Sequence, residues 1–382
     1  MPADDSSFQF PSRESSEGQA SSRHVKDLTL SRPLVSLCIP TRNRAASLRE
    51  SMQTISGQDY SPLEILISDN GSDDSTQDVV RELMRRDDRI RYVRHDCNIG
   101  LHGNHNFCFD AARGEFICIC HDHDVRDLGI VSQYVAFLER HPAVGVVCSD
   151  WDLVDDAGKR IGVRDHKVGE VTPGLEYIDQ TIRSGRTSIG IPGAMVRREA
   201  LGQSRFVPDA PIGFGDFPLW FRVAETWDVG HIAKRLWSWR QNSESHSART
   251  IESISHDYDR NLSAYCDEHI ARWPDHAALV ERWRASIRHY LFWALAYEVA
   301  LHFRKGNAVR HEGERSLFEI MNYKLTPEQL RHALEQMRSC RTSATELAAY
   351  AGVVTLIALR LTGPVAWISR HQAALRAVLG LE

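Results

Sequence analysis

Short apolar runs alternate with amphipathic stretches along the first third of the chain. Leu34-Val-Ser-Leu-Cys-Ile-Pro40 is a compact apolar run closed by proline, the pattern of a buried strand. Residues 45–56 carry helical spacing, and Leu63-Glu-Ile-Leu-Ile-Ser-Asp69 is a second buried strand that Asn70-Gly71 turns away from. Ser72-Asp-Asp-Ser-Thr76 offers N-cap residues to a helix near 75–86. Ile90–Arg94 predicts a third strand, residues 103–112 a helix, and Glu115-Phe-Ile-Cys-Ile-Cys120 a fourth strand. Strands alternating with helices predict an α/β domain around a mostly parallel central sheet. From about residue 251 the pattern turns helical, with capping boxes at Thr326-Pro-Glu-Gln329 and Ser343-Ala-Thr-Glu346. Three parts follow: a polar tail over 1–32, an α/β domain over 33–250 and a helical region over 251–382.

In a parallel sheet, ligands bind beyond the carboxyl ends of the strands. Three polar clusters fall there: Thr41-Arg-Asn-Arg44, Asp69, and His121-Asp-His-Asp124. Asp122 and Asp124 stand two apart on a turning segment, so both carboxylates face one side. Such a pair suits one hard divalent cation completed by phosphate oxygens, Mn²⁺ or Mg²⁺. Taken alone, two aspartates around one residue are more often a solvated acidic turn; their place after a buried strand favours a site. His121 and His123 flank them, but a zinc cluster needs further ligands at suitable spacing, so they read as donor-contacting or supporting groups.

Composition narrows the picture. The 382 residues are 42% hydrophobic and 25% charged, with a formal net charge of −5 and no basic block. That is a globular chain with a full core, and one unsuited to nucleic acid, which demands clustered Lys and Arg. The eight cysteines form no CxxC pair and several lie in apolar runs, so they read as reduced structural thiols. Residues 1–32 lack an apolar stretch of the kind a secretion signal carries, which leads to the expectation of a cytoplasmic protein. Leu347–Leu361 is apolar, but Arg360 and the Gly363-Pro364 break leave no membrane span. It suits packing onto the core or peripheral contact at the inner face of a membrane.

The order of these motifs resembles that of a family 2 glycosyltransferase of the GT-A fold, over residues 34–247. Val35-Ser-Leu-Cys-Ile-Pro-Thr-Arg-Asn-Arg44 is similar to the family's opening strand and Pro-Thr-x-Asn-Arg loop. Leu66-Ile-Ser-Asp-Asn-Gly-Ser-Asp-Asp-Ser-Thr76 resembles the second-strand signature, and Ala112–Asp124 the strand leading into the DxD. Asn98-Ile-Gly100, Asn106 and Gly193–Leu201 fall at further family positions. The resemblance implies donor contacts from Pro40, Thr41, Asn43, Arg44, Asp69, Asn106, Asp122, His123 and Arg240. It also implies metal ligation by Asp122 and Asp124. Phe214–Ala224 resembles the segment that bears the family's catalytic base, here Asp216, although Gly215 replaces the family's Glu. Beyond Arg240, the family's metal-facing His is replaced by Asn242, which leaves His246 as a candidate third ligand.

The implied chemistry is a single inverting displacement: a hexosyl-type transfer from a nucleotide diphosphate donor to an acceptor hydroxyl, with Asp216 as base and a divalent cation on the leaving diphosphate. The acceptor expected from the family is a glycan or lipid-linked glycan of a bacterial-type surface polysaccharide. An ionised Asp69 accepts hydrogen bonds only, which suits the N3–H of uracil or thymine; GDP ranks next and CMP last. Two rivals stand beside this. A nucleotidyltransferase would want a glycine-rich phosphate loop where Pro40–Arg44 lies, and a non-catalytic sugar-nucleotide-binding module would not need Asp216.

Overall fold

The computed structural model describes residues 32–208, 210, 214–240, 254–302, 335, 337–339, 346 and 349–350. The polar tail before Arg32, His246, the capping box at 326–329 and nearly all of the apolar stretch at 347–361 lie outside the described residues.

Strands β1 (Val35–Thr41), β2 (Leu63–Asp69), β3 (Ile90–Arg94) and β4 (Phe116–Ile119) alternate with helices α1 (Ala45–Ser56), α2 (Thr76–Met84) and α3 (Leu101–Ala111). Their sheet order is β3-β2-β1-β4, all parallel, with Thr41 opposite Asp69 and Asp69 opposite Arg94. The carboxyl ends of β1, β2 and β3 are therefore level, which places the polar clusters after β1 and β2 side by side. Beyond β4 the sheet becomes mixed. β9 (Ala194–Arg197) runs antiparallel between β4 and β6 (Val144–Val154), and the long β10 (Asp228–Arg240) returns parallel to β6. Short strands β5 (Val125–Arg126), β7 (Arg160–Arg164) and β8 (Val171–Thr172) add antiparallel pairs. The alternation rule predicts parallel strands only where a helix crosses over between them, and β4 reaches β9 through most of a domain instead.

Successive side chains of β1 enter opposite cores. Val35, Leu37 and Ile39 pack with Leu48, Met52 and Ile55 of α1 and with α4 (Ile130–Arg140). Cys38 packs on the other face with Cys108 and Phe109 of α3, Ile178 and Ile182 of α5 (Gly174–Ser184) and α7 (Asp216–Ala224), a short α6 (Arg198–Leu201) lying between these two helices in the chain. Both faces of the sheet are covered, which is why its strands read as unbroken apolar runs. The described cysteines are free thiols, all buried except Cys97.

Helices α8 (Ile254–Arg272) and α9 (Ala277–His302) pack on that second face. Tyr258 donates to the Ile182 carbonyl (2.9 Å), Trp283 Nε1 to Asp179 (3.1 Å), and Arg222 forks onto Glu268 through two 2.8 Å bonds. Glu225, one residue past α7, bonds His269, Arg272 and Tyr265. Burial pushes its carboxyl up, but His269 and Arg272 outweigh that and bring it to about 2. Thus α8 braces α7, while α9 holds α5. Among the described residues no helix is long and apolar enough to cross a membrane.

The start of α5 packs so closely on the end of α7 that a Cβ on Gly174 would collide with the carbonyl oxygens of Ala224 and Trp227. Backbone cannot swing aside as a flexible side chain can. Gly174→Ala should cost about 1–3 kcal/mol or more by overpacking, read as a lowered midpoint in denaturant unfolding; an unchanged midpoint would mean α5 and α7 slide freely.

Candidate active site

The rim is built from three turns. After β1, Asn43 adopts a left-handed backbone (φ 53°), which asparagine tolerates better than most residues. Its side-chain oxygen accepts the Asp73 N–H (2.9 Å), and its own N–H donates to Ser72 Oγ (2.9 Å). The loops after β1 and β2 are thereby tied together.

The third turn follows β4. Asp122 is 5% exposed; its Oδ2 accepts from Thr41 Oγ1 (2.6 Å), its Oδ1 pairs with His123 Nδ1 (2.9 Å), and Arg44 Nε lies 4.0 Å away. Asp124 is 1% exposed, and its Oδ1 accepts the backbone N–H of Arg240 at the end of β10 (3.0 Å). Burial raises the Asp124 carboxyl, yet the imidazoles of His121 and His123 and the Arg240 N–H hold it below the ordinary carboxylate range. Burial likewise works against a charged His123, but the Asp122 bond and the Asp124 and Asp122 charges outweigh it, so its imidazole titrates above its ordinary value. Behind the turn, the buried Arg126 on β5 donates to the carbonyls of Ile119 (3.0 Å) and Pro192.

Two buried atoms in this turn have no hydrogen-bond partner, Asp124 Oδ2 and His121 Nδ1, and they lie 3.4 Å apart. With His123 they form a group whose ligand atoms all fall within 4.8 Å of one another. Unsatisfied buried polar atoms are costly, and a cation is a partner both would accept. The residues present therefore fit a divalent ion. The ring row continues from His121 to His105 (6.0 Å) and from His105 to Phe206 (5.5 Å). Burial, with the nearby His121, lowers the His105 imidazole to about 3, so that ring is neutral.

Several expected donor contacts are turned inward. Asp69 has no exposed surface; its oxygens accept from Ser72 N–H (2.8 Å) and Tyr92 OH (2.6 Å), and burial and that bond raise the Tyr92 phenol. In this structure the carboxylate shapes the turn after β2 and offers no edge to a base, which removes the ground for a uracil or thymine preference. Asn106 pairs both amide atoms with the Phe206 backbone (2.9 and 2.8 Å) and straps that segment to α3. Arg240 donates to the carbonyls of His123 (3.0 Å) and Asp156 (2.7 Å) and to Glu50, so it locks the turn. Pro40 is a buried strand residue opposite Ser68. Asp122, read as a metal ligand, stands outside the cation group because Thr41 and His123 occupy its oxygens.

Asp216 is the first residue of α7 and half-buried, after the N-cap Gly215. Burial raises its carboxyl to about 6, and among the described residues no side chain hydrogen-bonds it. Leu219, Trp220 and Val223 are core residues, as their spacing predicts.

A profile described as "Glycosyl transferase family 2" matches residues 36–204. Residues 36–204 thus resemble glycosyltransferase family 2. The chain is 40% identical over 93 residues to a GalNAc(5)-diNAcBac-PP-undecaprenol beta-1,3-glucosyltransferase of Campylobacter jejuni, a match over 24% of this chain and 30% of that protein. It is 28% identical over 253 residues to an uncharacterized protein of Mycobacterium tuberculosis, covering 64% of this chain and 77% of that one. Its fold is similar to that of a mannosyltransferase from Pyrobaculum calidifontis solved with GDP-Man and Mn²⁺ (TM-score 0.51, 18% identity, 92% of this chain and 89% of that one).

Asp150 on β6, outside the motifs, gathers His166 and His231. Its Oδ1 already takes the His231 Nε2 (3.0 Å), the His166 N–H (2.8 Å) and the His166 Nδ1 (3.2 Å), so the group staples strands together. Separations of 16 and 81 residues hid it from the sequence.

The raised Asp216 carboxyl has a stability consequence. Between about pH 4, the unfolded value, and about pH 6 the folded chain holds a proton that the unfolded chain has lost. Stability therefore falls as pH rises through that window. Asp216→Asn should raise the melting temperature by a few degrees near neutral pH, and the gain should vanish below the lower limit. A variant less stable at neutral pH would show the carboxylate to be held by unrecognised partners.

Proposed function

We propose that this chain transfers a sugar from a nucleotide diphosphate donor to an acceptor hydroxyl, with inversion and with a divalent cation at the His121–Asp124 turn. The observation that carries this is the buried pair Asp124 Oδ2 and His121 Nδ1, neither of which makes a hydrogen bond, on the rim of the parallel strands of a stretch that matches the family 2 model. His121, His123 and Asp124 would hold the ion; what a bound divalent cation supplies is neutralisation of charge on the leaving diphosphate. Thr41 and Arg44 hold Asp122, and Arg240 closes the turn, so these charges are preorganised before a donor arrives.

Asp216 is proposed as the base. A carboxyl near 6 is ionised at neutral pH yet more basic than a solvated aspartate, which suits it to take the proton of an attacking hydroxyl. Inversion follows if that attack is direct, with no enzyme-bound sugar. A lipid-linked glycan acceptor, with the chain working at the inner face of a membrane, is in keeping with the name of the Campylobacter relative.

The test is release of nucleoside diphosphate from a panel of UDP-, dTDP- and GDP-sugars with Mn²⁺ and candidate acceptors. Transfer predicts diphosphate release; pyrophosphate chemistry would support a nucleotidyltransferase, and binding without turnover a sugar-nucleotide-binding module. Asp216→Asn should lower turnover by about 10²–10⁴-fold with donor binding retained. The parent's rate should rise with pH through an apparent pKa of about 6 and that limb should disappear in the variant. A variant within a few-fold of the parent would move the base elsewhere.

A further inference from the structure

We infer that His121 is a direct cation ligand and makes the site favour a first-row transition ion, such as Mn²⁺ or Co²⁺, over Mg²⁺. This rests on the turn being the diphosphate end of the donor site. Two oxygens and no nitrogen would be offered if the aspartates of the motif held the ion by themselves, and such a site suits Mg²⁺. The geometry offers something else. Asp122 is drawn away by Thr41 Oγ1 and His123 Nδ1. Asp124 keeps Oδ2 buried and without a hydrogen bond, and the atom it meets is His121 Nδ1 at 3.4 Å, which has no hydrogen bond either. Two ligands on one ion, each at about 2.1 Å, stand roughly 3.0–3.4 Å apart, so the pair has the separation of atoms that share an ion. His123 presents its second nitrogen to the same place, with Nε2 3.9 Å from Asp124 Oδ1, and the two imidazoles stack at 5.4 Å.

The donor set is thus one carboxylate and two imidazoles, with open positions for phosphate oxygens. Imidazole nitrogen favours first-row transition ions, whereas Mg²⁺ prefers oxygen and gives up water reluctantly. Both histidines are held in place from outside the group: His123 by Asp122, and His121 by the stack and by the neutral His105 ring at 6.0 Å. Asp124 cannot turn away, because its other oxygen is fixed by the Arg240 N–H. His121 is 28% exposed by its side chain, which leaves the ion a way in.

The experiment titrates the chelator-treated full chain with Mn²⁺, following free Mn²⁺ by electron paramagnetic resonance, then adds Mg²⁺ as competitor. The parent should bind Mn²⁺ and keep it against a large excess of Mg²⁺. Spin-echo modulation of the bound ion should show nitrogen coupling from imidazole. His121→Ala should weaken Mn²⁺ binding about 10–100-fold or more and reduce that coupling. His121→Asp, which exchanges the nitrogen for oxygen, should bind again but surrender the ion to Mg²⁺ much more readily, a gain that misfolding cannot imitate. The inference is overturned if the parent binds no Mn²⁺, if Mg²⁺ competes with it equally, or if the bound ion shows no nitrogen coupling. Diphosphate release is measured on the same samples, so sugar transfer that persists in those cases would leave the proposed function standing while removing the role of His121.

Discussion

The site depends on burying two carboxylates in one short turn. Each would be ruinously placed without a donor, since an uncompensated buried charge costs several kcal/mol. The donors come from opposite sides of the sheet: Thr41 at the end of β1 for Asp122, and the Arg240 N–H at the end of β10 for Asp124. The turn can therefore close only when the parallel first half and the mixed second half of the sheet are assembled. Arg240 adds its side chain to the His123 and Asp156 carbonyls, and Arg126 ties the turn's base to the Ile119 and Pro192 carbonyls. Folding and preorganisation are in this sense one process.

What the turn leaves unsatisfied is as informative as what it satisfies. Every polar atom of Asp122 has a close partner within the chain, whereas Asp124 Oδ2 and His121 Nδ1 make no hydrogen bond and meet only each other at 3.4 Å. Asp216 shows the same economy from the other direction: burial raises its carboxyl and no described side chain compensates. Natural chains tolerate such costs at working positions, and the helix that carries Asp216 is braced from α8 through Glu225 and Arg222.

The first four strands and three helices were legible because buried parallel strands are short apolar runs that end in turn residues, and the structure places them within a residue or two of their predicted bounds. The second half was not. β6 carries Asp150 and Asp152 in its middle, and β10 crosses Lys234 and Arg235 at register shifts against β6, so neither has a clean period. Residue types at the site were also legible, but several directions were not. The resemblance offered Asp69, Asn106 and Arg240 as donor contacts. Their partners are mostly backbone groups and neighbouring side chains that no linear pattern displays. His121 was undervalued for the opposite reason: nothing in the chain order shows that it meets Asp124, three residues on, at an atom with no other partner.

The central claim is that the turn after β4 receives the diphosphate of a nucleotide sugar through a cation held by Asp124 and His121. A crystal structure of the chain with a nucleoside diphosphate and Mn²⁺ tests it most directly. The account predicts one ion bonded to Asp124 Oδ2 and a His121 nitrogen, bridging to the phosphates, with Asp122 still on Thr41. Phosphates bound away from this turn, or an ion ligated by Asp122 with His121 left aside, would contradict it.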